Sequence, residues 1–408
     1  MTIDETVRRT LHDWSGEARV PADLASKALG RRRRSRVKAF AVVAGATAAV
    51  VAGALTVPSL VPGLVQGRQG NDDRPAIVVL TGSNPSTETA GDPESAPPKT
   101  LVAAGGTAAY AYYVWDREKI SAEREVTKRT WYLYDKAGRS YLRTPWAWLD
   151  VAPGGETVAV LEGIPARRVG VIAGRGGEAQ WIDLDRPAAA VRWSPDARKL
   201  LVTHYEGNPD EVVTEQMGET AEANRTGYSV VDLDSGRIEF HSLEPDDNNR
   251  FGGRLDFSWS TDGSLVWEHN STPPGTKKFY APDGTPRQGP PGAADTYQEA
   301  GVSPGGRWIP EQNRDRSAVV DLKDTRTGEV TALKPVGGHW IEQLVSWADD
   351  DRVIAWACEL KGTGNCAVSE FRNRLLLVDV NGGEAVPLTG YRGNSQKPGS
   401  WEPLFTRR

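Results

Sequence analysis

Apolar positions follow two different rules along this chain. Over residues 39–57 they run together, and AFAVVAGATAAVVAGALTV holds nineteen residues without a charge. At about 1.5 Å rise per residue that length crosses roughly 30 Å of hydrocarbon, and a core helix seldom lacks a polar face for five turns. The stretch predicts a transmembrane helix. Beyond about residue 100 the apolar residues come instead in short runs, such as residues 110–115, 131–134, 228–231 and 375–378, separated by Gly, Pro, Asp and Asn. Short runs bounded by such turn residues predict antiparallel strands and an all-β domain.

A repeat organises those strands. Five segments share the order apolar anchor, small residue, turn, strand: Val151-Ala-Pro-Gly-Gly, Trp193-Ser-Pro-Asp-Ala, Trp259-Ser-Thr-Asp-Gly, Val302-Ser-Pro-Gly-Gly and Trp347-Ala-Asp-Asp-Asp. Their anchors are 42, 66, 43 and 45 residues apart. The long interval holds a polar, acidic insertion at residues 206–227. Pro195 presets φ for a turn, Asp196 and Asp262 have side chains that cap one, and Gly supplies positive φ. Trp193, Trp259 and Trp347 are large wedges suited to packing between sheets, which assigns them a structural role as anchors of the repeat. A second turn marker follows most anchors, as in Asp232-Leu-Asp-Ser-Gly and Asp379-Val-Asn-Gly-Gly, so each period holds about four strands.

Four-stranded units of 40 to 50 residues arranged radially are β-propeller blades. The five anchors plus residues 101–150 predict six blades. A seventh follows if residues 76–80 and 401–405 build a further sheet. The Trp-Ser-Pro-Asp-Gly turn followed by an apolar strand resembles the WD40-like repeat of TolB-type propellers over about residues 101–390, and the anchor-plus-stalk layout is similar to actinobacterial membrane-anchored proteins of that kind. Trp193-Ser-Pro-Asp matches best, whereas Trp259-Ser-Thr-Asp lacks the Pro and two repeats have Val for Trp. The resemblance implies a binding or interaction platform, and in some relatives an accompanying peptidase domain.

Charge gives the expected orientation. Arg31 to Arg34, Arg36 and Lys38 crowd the N-terminal side of the apolar stretch, and such clusters stay in the cytoplasm. The predicted layout is a basic cytoplasmic tail (residues 1–38), a membrane helix (39–61), a Pro/Gly/Ser-rich stalk (62–99) and an extracytoplasmic propeller (100–408). Ala52-Gly53-Ala54 resembles a signal-peptide cleavage site, but the 38 residues before the apolar stretch are longer than a signal peptide carries. Residues 1–38 carry a net +5 and the remainder −10, which argues against nucleic acid as a partner.

Candidate chemistry is sparse. Two Cys and five His exclude a multi-Cys/His metal site and a disulfide-dense scaffold. Cys358 and Cys366 bracket a hairpin-sized loop and form a disulfide if the head lies outside the cytoplasm. No Gly-x-Ser-x-Gly nucleophile turn is present, and about twenty residues after Pro387 leave no room for a peptidase domain. Asp349, Asp350 and Asp351 read as a turn, and His204, His241, His269 and His339 show no paired spacing. No cofactor is expected. The sequence favours a non-catalytic module that binds a protein, peptide or envelope polymer, with an extracytoplasmic lyase or hydrolase acting in the propeller funnel as the alternative.

Overall fold

The computed structural model describes residues 77, 79, 87–174, 176–213, 225–243, 254–270, 276–290, 293, 298–312, 320–360 and 372–408, all within the compact unit Asp72–Arg408. The tail, the apolar stretch, most of the stalk and Cys366 lie outside the described residues. Among the described residues no helix is long and apolar enough to cross a membrane.

Strands β1 (Ala103–Ala104), β2 (Thr107–Lys119), β3 (Arg124–Asp135) and β4 (Ser140–Arg143) open the first sheet. A seven-stranded sheet follows, made of β5 (Trp148–Val151), β6 (Thr157–Leu161), β7 (Ala166–Ala173), β8 (Gln180–Trp193), β9 (Lys199–Tyr205), β11 (Arg225–Asp232) and β12 (Ile238–Ser242). Its long β8 serves two ladders: residues 180–183 and, past an irregularity in register, Ala188 pair with β7, while residues 188–193 pair with β9. β13 (Ser258–Trp259), β14 (Val266–Asn270), β15 (Thr276–Tyr280) and β16 (Pro286–Arg287) form the next sheet. β17 (Trp308–Gln312), β18 (Val320–Asp324) and β19 (Val330–Ala332) form another. β20 (His339–Trp347), β21 (Arg352–Glu359), β22 (Arg374–Asp379) and β23 (Val386–Pro387) make the last. All named ladders are antiparallel, and the sheets surround a central channel. The fold is an all-β propeller.

The ring is closed by β24 (Trp401–Arg407), which pairs with β2 from Thr107↔Arg407 to Val114↔Trp401. Residues 401–405 therefore do not build the further sheet considered from sequence. They supply the innermost strand of the first sheet, because β2 offers them a free edge. Of residues 76–80 only Ile77 and Val79 are described, and neither lies in a strand.

The repeat turns have a common hydrogen-bond pattern. Ser194 Oγ donates to Asp196 Oδ1 and accepts from the Lys199 N–H at 2.9 Å; Ser260 Oγ donates to Asp262 Oδ1 and accepts from the Leu265 N–H at 2.9 Å. The residue after each aspartate takes positive φ, +60° at Ala197 and +73° at Gly263. Middle strands depart from simple alternation. β6, residues 228–231 of β11 and residues 375–378 of β22 are buried on both faces, because each sheet stands between two others.

Two segments expected to be loose are built into the fold. Residues 90–99, assigned from composition to the stalk, dock on the propeller. Ala90 exchanges backbone hydrogen bonds with Ala103 at 2.8 and 2.9 Å, Asp92 N donates to Leu388 O at 2.8 Å, and Gly390 N donates to Ser95 O at 2.9 Å. Their backbone groups are satisfied by strand edges instead of water. The insertion after β9 also contributes structure: β10 (Glu211–Val213) crosses to the first sheet and pairs with residues 124–126 of β3.

Candidate functional site

The inner strands converge on a cavity of about 1200 Å³ lined by residues from β2, β3, β5, β8, β13, β20 and β24 and by the segment 299–304 that leads into β17. Turns of neighbouring blades meet at one mouth: Gly154 N donates to Arg407 O at 2.8 Å and Gly106 N to Ala348 O at 2.7 Å. The opposite mouth is bounded by the long β2–β3 hairpin, with Trp115, Arg117, Thr127 and Arg129 in the lining.

The anchor residues divide into two groups at this channel. Trp193 and Trp347 are each 6% exposed and face the preceding repeat. The indole N–H of Trp193 donates to Asp150 O at 3.2 Å and that of Trp347 to Gly301 O at 2.9 Å, in each case the carbonyl just before the previous anchor. Pro195 lies in the channel lining beside Trp193, while Asp196 and Asp262 cap their own turns. Trp259 differs. It is half-buried in the channel wall, and its Nε1 has no acceptor among the described residues.

Charge is concentrated toward the hairpin mouth, where most of it is paired. Arg254 Nε donates to Asp210 Oδ1 at 3.0 Å, its Nη1 lies 3.1 Å from Asp256 Oδ2, and Arg129 Nη1 lies 2.7 Å from Asp210 Oδ2. Burial raises the Asp210 carboxyl pKa, but Arg254 and Arg129 more than offset this and hold it below the usual carboxylate range. Both guanidinium groups also lie over the Trp148 ring, at 4.3 and 5.4 Å from its centroid. Asp150 lies 3.5 Å from Arg192 and accepts from the Trp193 backbone N–H at 2.6 Å, yet burial pushes its pKa up to about 6.

Glu299 and Glu402 are the residues that sequence reasoning missed. Glu299 is exposed to the channel and surrounded by protein. Enclosure pushes its carboxyl pKa up, against the pull of Arg192 and Lys277. Among the described residues it has no hydrogen bond or ion pair. Glu402, from β24, is paired with Arg392, which stacks 3.6 Å over the Trp356 ring. Burial and the charge of Glu299 both raise the pKa of Glu402, and Arg392 opposes them. The Tyr113 hydroxyl lies within electrostatic range of both carboxyls, and burial raises its pKa. These groups stand on different blades, and no spacing in the sequence marks them as neighbours.

The remaining candidates from the sequence are structural in their placement. Asp349 accepts from the N–H groups of Asp351 and Arg352 at 3.1 and 2.8 Å, a turn. Among the described residues no cluster of His, Cys, Asp or Glu could hold a metal ion. His204 bonds Ser229 Oγ at 2.8 Å and is held neutral by burial, its pKa lowered to about 4. His269 lines the channel and is likewise lowered to about 4 by burial, with Lys277 nearby. Cys358 is buried in β21, and its expected partner Cys366 lies outside the described residues.

No family model and no curated protein matches the chain. Among solved structures it is similar to a putative TolB from Agrobacterium tumefaciens, with 12% identity and a TM-score of 0.39 over 65% of this chain and 92% of that one. It is similar to TolB from Acinetobacter baumannii, with 16% identity and a TM-score of 0.37 over 70% and 66%. It is also similar to the β-propeller domain of Cps50 (Swd1) from Myceliophteria thermophila, with 10% identity and a TM-score of 0.39 over 75% and 98%. Likeness this remote says nothing of a ligand or partner.

Proposed function

We propose that this chain is a membrane-anchored binding module whose six-bladed head lies outside the cytoplasm and takes a protein, peptide or envelope polymer into its central channel. The six-blade reading is supported by the register break in β8, where residues 180–183 would end one blade and residues 188–193, with Ala188 paired on both sides, would begin the next. The observation that carries the binding reading is the channel itself. It is larger than the roughly 300–1,000 Å³ of a usual small-ligand cleft, and half-buried aromatic residues and paired charges line it. The anchor reading rests on the uncharged residues 39–57 and the basic cluster before them.

Two experiments test these statements. Protease added to intact cells should remove the head and spare residues 1–38; a protected C-terminus reverses the orientation. A photo-crosslinking amino acid placed at Phe405 in the channel should yield a discrete adduct in cells, and one placed at the exposed Val330 should not. Adducts from Val330 alone would move the binding surface to the outer rim.

The convergence of Glu299, Glu402 and Tyr113 supports the second reading, a lyase or hydrolase that uses one carboxyl as acid and the other as base. Against it, Glu402 is held by Arg392. Glu402→Gln separates the two readings, because it abolishes turnover by an enzyme and leaves a binding module able to capture its ligand.

A further inference from the structure

The ligand's chemical class can be narrowed from what the channel leaves unspent, an inference that rests on the channel-binding reading above. The strong charges of the lining are mostly committed. Arg129 and Arg254 are paired with Asp210 and Asp256, Arg192 with Asp150, and Glu402 with Arg392. A highly charged ligand therefore finds little free counter-charge and would have to break buried pairs to gain any. Two kinds of group remain available. Trp115, Trp259, Trp267 and Phe405 are half-buried in the lining and retain aromatic surface facing the channel. The indole N–H of Trp259 has no acceptor among the described residues but is itself buried, so only the Trp259 ring is offered to the channel. The Glu299 carboxyl and the Tyr113 hydroxyl are hydrogen-bonding groups in the lining, the first without a bonded partner among the described residues.

We propose that the channel binds a neutral, hydroxyl-rich chain, an oligosaccharide or polysaccharide segment, with Glu299 bonding its hydroxyls and Trp259 presenting a ring face to a sugar unit. Sugar rings combine an apolar C–H face with a rim of hydroxyls that both donate and accept, which matches aromatic surface beside isolated polar groups. The Glu299 carboxyl is exposed to the channel without a bonded partner among the described residues, so a ligand hydroxyl can reach it directly. The cavity volume of about 1200 Å³ exceeds that of single-molecule clefts, so several linked units occupy it.

The test uses the full chain in detergent solution, with tryptophan fluorescence and calorimetry as readouts. Probes are cellohexaose, maltohexaose and chitohexaose, with hexalysine and hexaglutamate as charged competitors. At least one neutral hexasaccharide should bind saturably, the charged peptides should not displace it, and Glu299→Gln and Trp259→Ala should each weaken it at least tenfold. Glu299→Gln conserves shape, so it carries the test alone if Trp259→Ala fails to fold. Binding unaffected by Glu299→Gln, or no saturable binding of any hexasaccharide at millimolar concentration, overturns the saccharide class. Saturable binding of hexalysine or hexaglutamate that Glu299→Gln alters also overturns it, while leaving the channel as the binding site.

Discussion

Asp150 and Trp193 hold each other twice across neighbouring inner strands: the Trp193 backbone N–H donates to the Asp150 carboxylate at 2.6 Å, and the Trp193 indole N–H donates to the Asp150 carbonyl oxygen at 3.2 Å. One residue thus sets both the register and the spacing of its neighbour. The indole is 6% exposed, so its ring fills space as well as making the bond.

Removing that ring should be costly. Trp193→Ala loses its burial and leaves a cavity, and should lower unfolding free energy by about 3 to 5 kcal/mol. Urea denaturation of the parent and variant checks this. A variant within about 1 kcal/mol of the parent would mean that the ring is not a wedge.

The carboxylate of the same pair sets a pH dependence. Its folded-state pKa of about 6 lies above the ordinary value of 3.8, so the folded state keeps a proton that the unfolded chain has released. The stabilisation is fully present below about pH 4 and is lost as pH rises through 6, amounting to roughly 3 kcal/mol at most. Asp150→Asn does not titrate. The stability of the parent relative to this variant should therefore fall between pH 4 and pH 7; a difference constant with pH would refute the assignment. The neutral buried His204 has the opposite sign, losing stability on acidification, but it is common to both proteins and cancels.

Asp210 ties together residues from β3, from the insertion after β9 and from the segment before β13. Asp210→Asn removes the charge between Arg129 and Arg254, which have side chains only 12% and 11% exposed. Breaking a buried pair in this way costs about 3 to 5 kcal/mol. Protection of the residue 206–213 backbone from hydrogen exchange should drop with it. Retained protection would show that β10 is held by its ladder alone.

The proposed Cys358–Cys366 bridge closes a short loop and should contribute roughly 2 to 3 kcal/mol in the chain-entropy picture. Thiol titration of the denatured, unreduced protein should find no reactive group. Two reactive thiols would dismiss the bridge.

Local features were the legible ones. Ser194, Asp196, Ser260 and Asp262 sit in turns whose hydrogen bonds follow from residue type, so their role could be read from the chain. Partners far apart could not. The pattern of Trp401-Glu-Pro-Leu-Phe405 reveals a strand but not that its neighbour is β2, nearly 300 residues earlier. Likewise Glu211-Val-Val reads as part of a polar insertion until β3 is seen beside it. Glu299 and Glu402 became neighbours only through that same ring closure, and Trp259 looked equivalent to Trp193 until its indole proved to lack the acceptor that Trp193 has in Asp150.

The pairing of β2 with β24 also dictates an order of events. Closing a loop of that length carries a large entropy loss before any contact offsets it, so the clasp is expected to form after the intervening blades have compacted. Until then the first sheet lacks its inner strand, and the apolar edges of β2 and of the last completed blade stand open to other chains. A cell making this protein must therefore shield a nearly complete but unclasped ring. Substitutions in residues 401–407 should reveal themselves first as aggregation during synthesis, before any loss of binding by the finished molecule.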